Sequence, residues 1–211
     1  FLGSVRGMAD PAEFDRWQQR FSAPGYLFGT APNAFLQSQA HLLTKGARAL
    51  AIADGEGRNG VFLAEHGLDV LSVDFSPLAQ EKARKLAAER GVPLRVEQAD
   101  IVEWHWPTEA FDVVAAIFFQ FVAPPERDRI FAGIKRTLKA GGLLLLEGYG
   151  VKQLEYKTGG PSKVENLYTR EILEKAFGDF ASLDIREHDC VIEEGAGHGG
   201  MSALVDLVGR K

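Results

Sequence analysis

Short apolar runs alternate with helix-like segments between residues 47 and 146, and this alternation restricts the possible folds more than any other feature of the chain. Strands are expected over residues 47–53, 70–73, 94–97, 111–117 and 143–146. Helices are expected between them, over residues 60–66, from Ser76-Pro77 to a stop at Gly91, and over residues 125–139. Because strand–helix–strand units form right-handed crossovers, the pattern predicts a mostly parallel sheet in an α/β fold.

The flanking segments complete one predicted domain, residues 1–211. Residues 1–46 are expected to form an N-terminal cap over the functional site, with a helix over 11–21, a loop over 23–33 and a second helix capped by Asn33. Residues 47–211 form the predicted core. Its last part contains a helix over 169–177 and two strands, 183–191 and 202–208, which a turn over 194–200 joins as an antiparallel pair.

The composition is that of an ordinary globular protein, with 45% hydrophobic and 25% charged residues. A net charge of −5 argues against partners such as nucleic acid or an anionic membrane surface. The single cysteine, Cys190, favours a reducing compartment, and we expect a cytoplasmic protein. The longest apolar stretch, near residues 111–122, is too short to span a bilayer. Residues 1–7 do not resemble a signal peptide, and we expect Met8 to be the native start.

A glycine-rich turn follows the first predicted strand. Gly55, Gly57 and Gly60 match the pattern GxGxxG, in which glycines let a ligand approach the backbone at the start of a helix. The match alone is weak, because a tight strand-to-helix turn that binds nothing gives the same pattern. The turn therefore predicts a ligand site only if further residues nearby are suited to bind the same ligand.

An acidic residue at the end of the second strand supplies the next part. Asp74 lies 74 − 55 = 19 residues after the first glycine, where a carboxylate can accept hydrogen bonds from both hydroxyls of a ribose. The alternative role, capping the next helix, is already filled by Ser76. The spacing predicts an adenosine site but serves nicotinamide cofactors and S-adenosylmethionine equally well.

Three features favour S-adenosylmethionine. Asp100 and Ile101 follow the third strand, where the acid can accept from the amine of adenine while the apolar side chain packs on the ring. The segment 136–147 is predicted to be a helix end, a Gly-Gly turn and a buried strand. We also expect no second domain that could hold a hydride acceptor.

The combination of these motifs resembles the class I S-adenosylmethionine-dependent methyltransferases over residues 47–149. The motifs are the glycine turn, Asp74-Phe75-Ser76-Pro77, Ala99-Asp100-Ile101 and Leu138-Lys139-Ala140-Gly141-Gly142. Within that superfamily, YLFGTAPNAFL at residues 26–36 and Gly57-Arg58-Asn59 resemble the tellurite-resistance and thiopurine methyltransferase-like group. Residues 156–161 and 195–200 are similar to a bacterial branch of it.

The resemblance implies a Rossmann-like sheet of seven strands, with helices on both faces and an antiparallel last strand inserted between its neighbours. It implies S-adenosylmethionine as cofactor, bound by Ala53, Asp54, Gly55, Glu56, Gly57, Asn59, Asp74, Phe75, Ser76, Asp100, Ile101 and Ile117. The chain departs from the family at two positions. Ala51 stands where the family usually has an acidic residue before the glycine turn, and Ala53 stands where it usually has the first glycine. Asp54 is therefore the expected ligand of the cofactor's amino group.

The methyl acceptor is expected above the sulfonium, under the N-terminal segment. Candidate lining residues are Trp17, Phe21, Tyr26, Phe28, Phe119, Gln120, Tyr149 and Tyr156, although aromatic residues there could equally pack the N-terminal helix. Candidate catalytic residues are Tyr26, Gln120 and His198. Arg58 either neutralises an anionic acceptor or pairs with Glu56. No metal is expected, because His41, His66, His105 and His188 lack ligand spacing.

The sequence thus predicts a methyltransferase acting on a small nucleophile such as a thiol or a chalcogen oxyanion, as a monomer or homodimer. Two alternatives stay open at this point. A nicotinamide-dependent oxidoreductase follows from GxGxxG alone, and Asp100 disfavours it. A non-catalytic cofactor-binding module is kept open by Ala51.

Overall fold

The computed structural model describes residues 10–211 and contains one seven-stranded sheet. The strand order is β3-β2-β1-β4-β5-β7-β6, and β7 runs antiparallel to both of its neighbours while the other pairs are parallel. The strands are β1 (Arg48–Ile52), β2 (Asp69–Asp74), β3 (Arg95–Gln98), β4 (Phe111–Ile117), β5 (Leu138–Tyr149), β6 (Ser182–Glu194) and β7 (His198–Arg210). This confirms the predicted fold class, including the insertion of the last strand.

Seven α-helices accompany the sheet within residues 10–211. They are α1 (Pro11–Phe21), α2 (Ala34–Ser38), α3 (Arg58–Glu65), α4 (Pro77–Glu89), α5 (Pro124–Thr137), α6 (Gln153–Tyr156) and α7 (Arg170–Phe177). The predicted caps are present, because Asn33 accepts from the Leu36 amide and Ser76 accepts from the Ala79 amide. Helix α2 is shorter than expected, since a 3-10 turn over residues 40–42 follows it.

The helices cover both faces of the sheet, as alternate residues of β1 show. Leu50 and Ile52 belong to a core that includes residues of α5 and α7, whereas Ala49 and Ala51 belong to a second core with α2 and α3. Because successive strand residues point to opposite faces, the two cores lie on opposite sides of the sheet. Central strands buried on both faces explain why the predicted strands read as continuous apolar runs.

Two connections differ from the prediction. Leu138 already pairs with Phe111 and the pairing resumes at Leu143, so residues 139–142 form a bulge within β5 rather than a turn before it. Gly141 permits this bulge because its φ is +78°. Between β6 and β7 the turn is only residues 195–197, because Glu194 pairs with His198; the longer predicted turn is wrong.

No helix within residues 10–211 is long and apolar enough to cross a membrane. The expectations about residues 1–7 and Met8 concern positions outside the described part of the chain.

Candidate active site

A cavity of about 610 Å³ opens at the carboxyl ends of the central strands. Its walls come from the ends of β1, β2, β4 and β5, from the loop after β3, and from α1. In the strand order, β1 lies between β2 and β4, so the sheet reverses its direction of growth at this point. Such a reversal leaves a crevice beside the strand ends, where open α/β sheets bind their ligands.

The glycine turn borders this cavity, but its glycines serve different purposes. Gly55 lines the cavity, and a Cβ there would lie 3.3 Å from the Phe21 ring of α1. Gly57 does not line the cavity; its φ is +88°, and a Cβ would lie 2.6 Å from the Cβ of Ala83 in α4. Packing of α4 against the turn therefore requires Gly57, independently of any ligand.

Asp74 stands at the end of β2 with its carboxylate in the cavity wall. Its Oδ1 accepts from the Gly55 amide at 3.0 Å and its Oδ2 accepts from the Ser76 amide at 2.9 Å. Burial raises the pKa of Asp74 to about 6, against the opposing effect of these hydrogen bonds. Each carboxylate oxygen has a second lone pair, so the side chain can still accept from a bound hydroxyl.

Asp54 also lines the cavity and stabilises the glycine turn. Its carboxylate accepts from the Ser72 hydroxyl at 2.6 Å and from the Gly60 amide at 3.1 Å. Burial raises the pKa of Asp54 to about 7, and the nearby charge of Asp74 acts in the same direction. Two acids thus face one cavity where a cationic ligand would favour their ionised forms.

The loop after β3 contributes Asp100 and Val102 to the cavity. Asp100 Oδ1 accepts from the Val102 amide at 2.9 Å. Ile101 instead belongs to the core, and its carbonyl accepts from the Trp106 indole at 3.0 Å. Both Ile101 and Val102 belong to this core, but only Val102 also lines the cavity beside Asp100.

Eight of the predicted cofactor-binding residues line the cavity: Ala53, Asp54, Gly55, Asn59, Asp74, Phe75, Asp100 and Ile117. Glu56, Gly57, Ser76 and Ile101 do not. Glu56 accepts from the Leu27 amide at 2.7 Å and pairs with Lys82 at 2.8 Å, so it fixes the N-terminal loop. Ser76 caps α4 and donates its hydroxyl to Gln18 of α1.

A second group of side chains, around His198, borders the same cavity. His198 Nδ1 lies 2.6 Å from the Tyr149 hydroxyl, and the imidazole packs between Phe28 and Phe118, with ring centroids 4.4 and 4.5 Å away. Burial, followed by the charges of Arg58 and Arg20, lowers the pKa of His198 to about 3. The imidazole is therefore neutral near pH 7.

The other two predicted catalytic residues have different positions. Gln120 lines the cavity, but its amide is committed to the backbone: it donates to the Tyr149 carbonyl at 2.8 Å and accepts from the Tyr149 amide at 2.5 Å. Tyr26 lies outside the cavity wall, with its hydroxyl 3.5 Å from the Lys82 carbonyl. Neither side chain is placed to transfer a proton to a ligand.

Of the predicted acceptor-lining aromatics, Trp17, Phe21, Phe28 and Tyr149 reach the cavity. Phe119 packs in the core against Phe131, and the Tyr156 hydroxyl donates to Asp189 at the surface. Phe118, which is not among the predicted residues, also lines the cavity, with φ at +52°. No sequence signal marks it, because its neighbours form one apolar run.

Arg58 does not pair with Glu56. Its Nη1 lies 3.1 Å from Glu194 Oε1, and both side chains are buried. Its guanidinium also lies 5.9 Å from the Phe28 ring centroid in the cavity wall. Arg58 thus adds positive charge next to His198, although its ionic partner comes from β6.

The chemistry of the cavity fits S-adenosylmethionine. Its lining contains seven Asp and Glu residues but four Lys and Arg residues, which favours a ligand with positive charges. Two buried atoms of lining residues, Glu126 Oε2 and Asn166 Oδ1, have no hydrogen-bond partner within the described chain. Asp74 and Asp100 project from neighbouring strand ends into this one space.

Comparison with known proteins agrees with this geometry. Residues 49–142 match the methyltransferase domain family. A phosphatidylethanolamine N-methyltransferase of Cereibacter sphaeroides is 31% identical over 112 residues, which are 52% of this chain and 54% of that protein. A demethylmenaquinone methyltransferase of Thermus thermophilus is 33% identical over 101 residues, 47% of this chain and 46% of that protein. The matching segment spans about half the length of these relatives.

The fold is shared with a solved structure from work on the conversion of a disulfide bond into a thioacetal group during echinomycin biosynthesis. The TM-score is 0.74 at 17% identity, covering 94% of this chain and 93% of that one. TehB from Haemophilus influenzae gives a TM-score of 0.66 at 15% identity, covering 94% and 67%. Residues 49–142 thus resemble the methyltransferase domain family, and the fold of nearly the whole chain is shared with these solved structures.

Proposed function

We propose that this protein transfers a methyl group from S-adenosylmethionine to a small, electron-rich acceptor that is anionic at neutral pH, such as a thiolate or a chalcogen oxyanion. The observation that carries the proposal is the end of the cavity around His198, where aromatic rings and two guanidinium groups meet. The cofactor supplies an electrophilic methyl group on a sulfonium. The protein must mainly align acceptor and methyl, an effect worth about 7–11 kcal/mol.

The acids would hold the cofactor. We assign Asp74 to the ribose hydroxyls, because it lies at the end of β2 with lone pairs still available. Asp100 would accept from the adenine amine, with Val102 and Phe75 as the apolar walls. Asp54 would meet the amino group, since a cation beside it would stabilise its carboxylate form.

The acceptor would occupy the space beside His198. Arg20 lies 4.4 Å from the Trp17 ring centroid and Arg58 lies 5.9 Å from that of Phe28, so two cations border an aromatic surface. Positive charge next to polarisable rings favours an anionic acceptor with a soft nucleophilic atom. A neutral amine would gain nothing from the guanidinium groups.

His198 would orient the acceptor rather than deprotonate it. An imidazole with a pKa near 3 is a weak base at neutral pH, so it cannot hold a proton taken from a thiol or hydroxyl. It can exchange one hydrogen bond with the acceptor while Nδ1 stays on Tyr149. Acceptors that arrive already ionised need no such base and are therefore favoured.

Several finer assignments belong to the same proposal. We place the protein in the tellurite-resistance-like group, which the shared fold of TehB supports. Sulfur as the acceptor atom is consistent with the structure described for thioacetal formation. We further propose one domain with residues 1–46 as a cap, a cytoplasmic location, no nucleic-acid partner, and a monomer or homodimer.

Titration calorimetry followed by a methyl-transfer screen tests the proposal. The protein should bind S-adenosylmethionine and S-adenosylhomocysteine, and Asp74→Ala should lose most of this affinity. Asp69→Ala removes an exposed acid from the opposite end of β2 and should bind normally. Turnover is expected with thiols, selenite or tellurite. Tight binding of a nicotinamide cofactor instead, or cofactor binding without turnover of any anionic acceptor, would refute the proposal.

A further inference from the structure

A second cavity, of about 380 Å³, lies on the strands at the β6 edge of the sheet, away from the glycine turn. Three of its lining residues bring metal-ligand atoms close together: Glu147 from β5, His188 from β6 and Asp206 from β7. One ligand atom from each of the three lies within 4.8 Å of the others. None of these residues belongs to the proposed methyltransferase site.

The strand register explains why these three side chains meet. Glu147 is the direct partner of Asp206 across β5 and β7. His188 pairs with Leu204, two residues before Asp206, so it lies diagonally opposite on the same face of the sheet. His188 Nε2 lies 2.7 Å from Asp206 Oδ2. Ordinary β-sheet geometry thus brings one imidazole and two carboxylates together.

The carboxylates of Glu147 and Asp206 are buried next to each other, and few hydrogen-bond donors or positive charges offset the cost of burying them. Glu147 is 3% exposed and Asp206 is 8% exposed. Within residues 10–211, neither forms an ion pair with a lysine or arginine, and Asp206 Oδ1 is buried without a hydrogen-bond partner. Asn33 donates to Glu147 Oε1 at 2.8 Å, and this single bond satisfies only part of the hydrogen-bonding capacity of the Glu147 carboxylate. Adjacent buried carboxylates require either a shared proton or a cation.

We propose that Glu147, His188 and Asp206 bind a divalent first-row transition metal ion, with Zn²⁺ as the probe. One imidazole nitrogen and two carboxylate oxygens form a donor set that suits Zn²⁺ or a neighbouring ion, at about 2.0–2.2 Å per bond. The cavity gives the ion a path from solvent and leaves room for water at the remaining positions. Asp206 Oδ1 is the buried acceptor that the ion would satisfy.

Spacing along the chain gives no sign of this site. The expectation that no metal is bound rested on His41, His66, His105 and His188, which lack ligand spacing. The three proposed ligands come from three strands and are separated by 41 and 18 residues, counting 188 − 147 and 206 − 188. Only the insertion of β7 between β5 and β6 makes them neighbours.

Calorimetric titration of the chelator-treated, dialysed protein with Zn²⁺ tests the site. One equivalent should bind per chain, and His188→Gln or Glu147→Gln should weaken binding by at least about tenfold. Two controls should bind like the wild type: Asp184→Asn, which removes an exposed acid from the same cavity, and His105→Gln, which removes an exposed histidine elsewhere.

Co²⁺ provides a second measurement that needs no variant. The wild-type protein should develop visible absorption on adding Co²⁺, and Zn²⁺ should displace it. Absence of Zn²⁺ binding and of a Co²⁺ spectrum would show that a shared proton compensates the carboxylates and would overturn the proposal. Equal affinity in the wild type and His188→Gln would also overturn it. Neither result bears on cofactor binding, which depends on the other cavity.

Discussion

The Tyr149 hydroxyl and His198 Nδ1 lie 2.6 Å apart, and this hydrogen bond joins the end of β5 to the start of β7 beside the cavity. Both groups are buried, so each depends on the other for a partner. Burial also raises the pKa of the Tyr149 hydroxyl above its ordinary value, which keeps it protonated.

Tyr149→Phe should destabilise the protein by about 1–3 kcal/mol, because it leaves a buried imidazole nitrogen without a partner. Thermal and denaturant unfolding measure the change. Tyr156→Phe is the matched control: it removes a hydroxyl that bonds to Asp189 at the surface, and should change stability by less than about 0.5 kcal/mol. Equal losses in the two variants would contradict the importance of the buried bond.

His198→Phe should lower kcat/KM for the acceptor roughly 10–100-fold while the affinity for S-adenosylhomocysteine stays unchanged. The reason is that His198 packs against aromatic rings of the proposed acceptor space, whereas Asp74 and Asp100 would hold the adenosine. Steady-state kinetics and calorimetry separate the two effects. With saturating S-adenosylmethionine, the pH–rate profiles of the wild type and the variant should have the same shape near pH 6.5, because the pKa of His198 is about 3. A break there that disappears in the variant would make His198 a general base after all.

Affinity for S-adenosylhomocysteine should fall as the pH drops below about 6. The free protein holds a proton on Asp74 with a pKa of about 6, while a carboxylate that accepts from ribose hydroxyls is favoured in the complex. Binding below that pH must therefore release the proton, and Kd rises by up to about tenfold per pH unit. Calorimetry in buffers of different ionisation enthalpy measures the proton release. Asp69→Asn should keep the whole profile, and a flat profile in the wild type would exclude Asp74 as the ribose ligand.

Asp54→Asn should change how the stability of the free protein depends on pH. The pKa of Asp54 is about 7 in the folded state and near 3.8 when unfolded, so between these values the folded state binds more protons. The contribution of Asp54 to the free energy of unfolding therefore decreases as the pH rises from about 4 to 7, and it is constant above pH 7. The total decrease is about 1.4 kcal/mol per unit of difference between the folded and unfolded pKa. The difference between wild-type and variant unfolding free energies should show this slope. No difference in slope would mean that Asp54 titrates normally.

Gly57→Ala should destabilise the protein by roughly 2–5 kcal/mol, since a positive φ and a clash with Ala83 act together. Gly25→Ala is the matched control, because Gly25 has a similar φ of +79° with no atom within 4 Å of its would-be Cβ. It should lose only about 1–2 kcal/mol. Denaturant unfolding compares the two. Similar losses would show that α4 can shift away from the turn.

The sequence alone determined the fold class and the acid-bearing end of the site. Strand and helix patterns are local, so the run Phe111–Ile117, the Ser76 cap and the order of elements could be predicted from neighbouring residues. Because parallel strands present their carboxyl ends at one edge, Asp74 and Asp100 could be expected in one cavity. Gly57 could not be assigned correctly, since its cause is contact with Ala83, 26 residues away.

The tertiary structure decided which side chains face the cavity beyond the strand ends, and which charges are paired. Loop residues have no fixed period, so nothing local distinguishes Val102 from Ile101, or Phe118 from Phe119. The pairing of Arg58 with Glu194, and the meeting of Glu147, His188 and Asp206, depend on where β7 inserts into the sheet. Such contacts join residues far apart in the chain, and their formation is settled by packing and burial of the whole domain rather than by any local pattern.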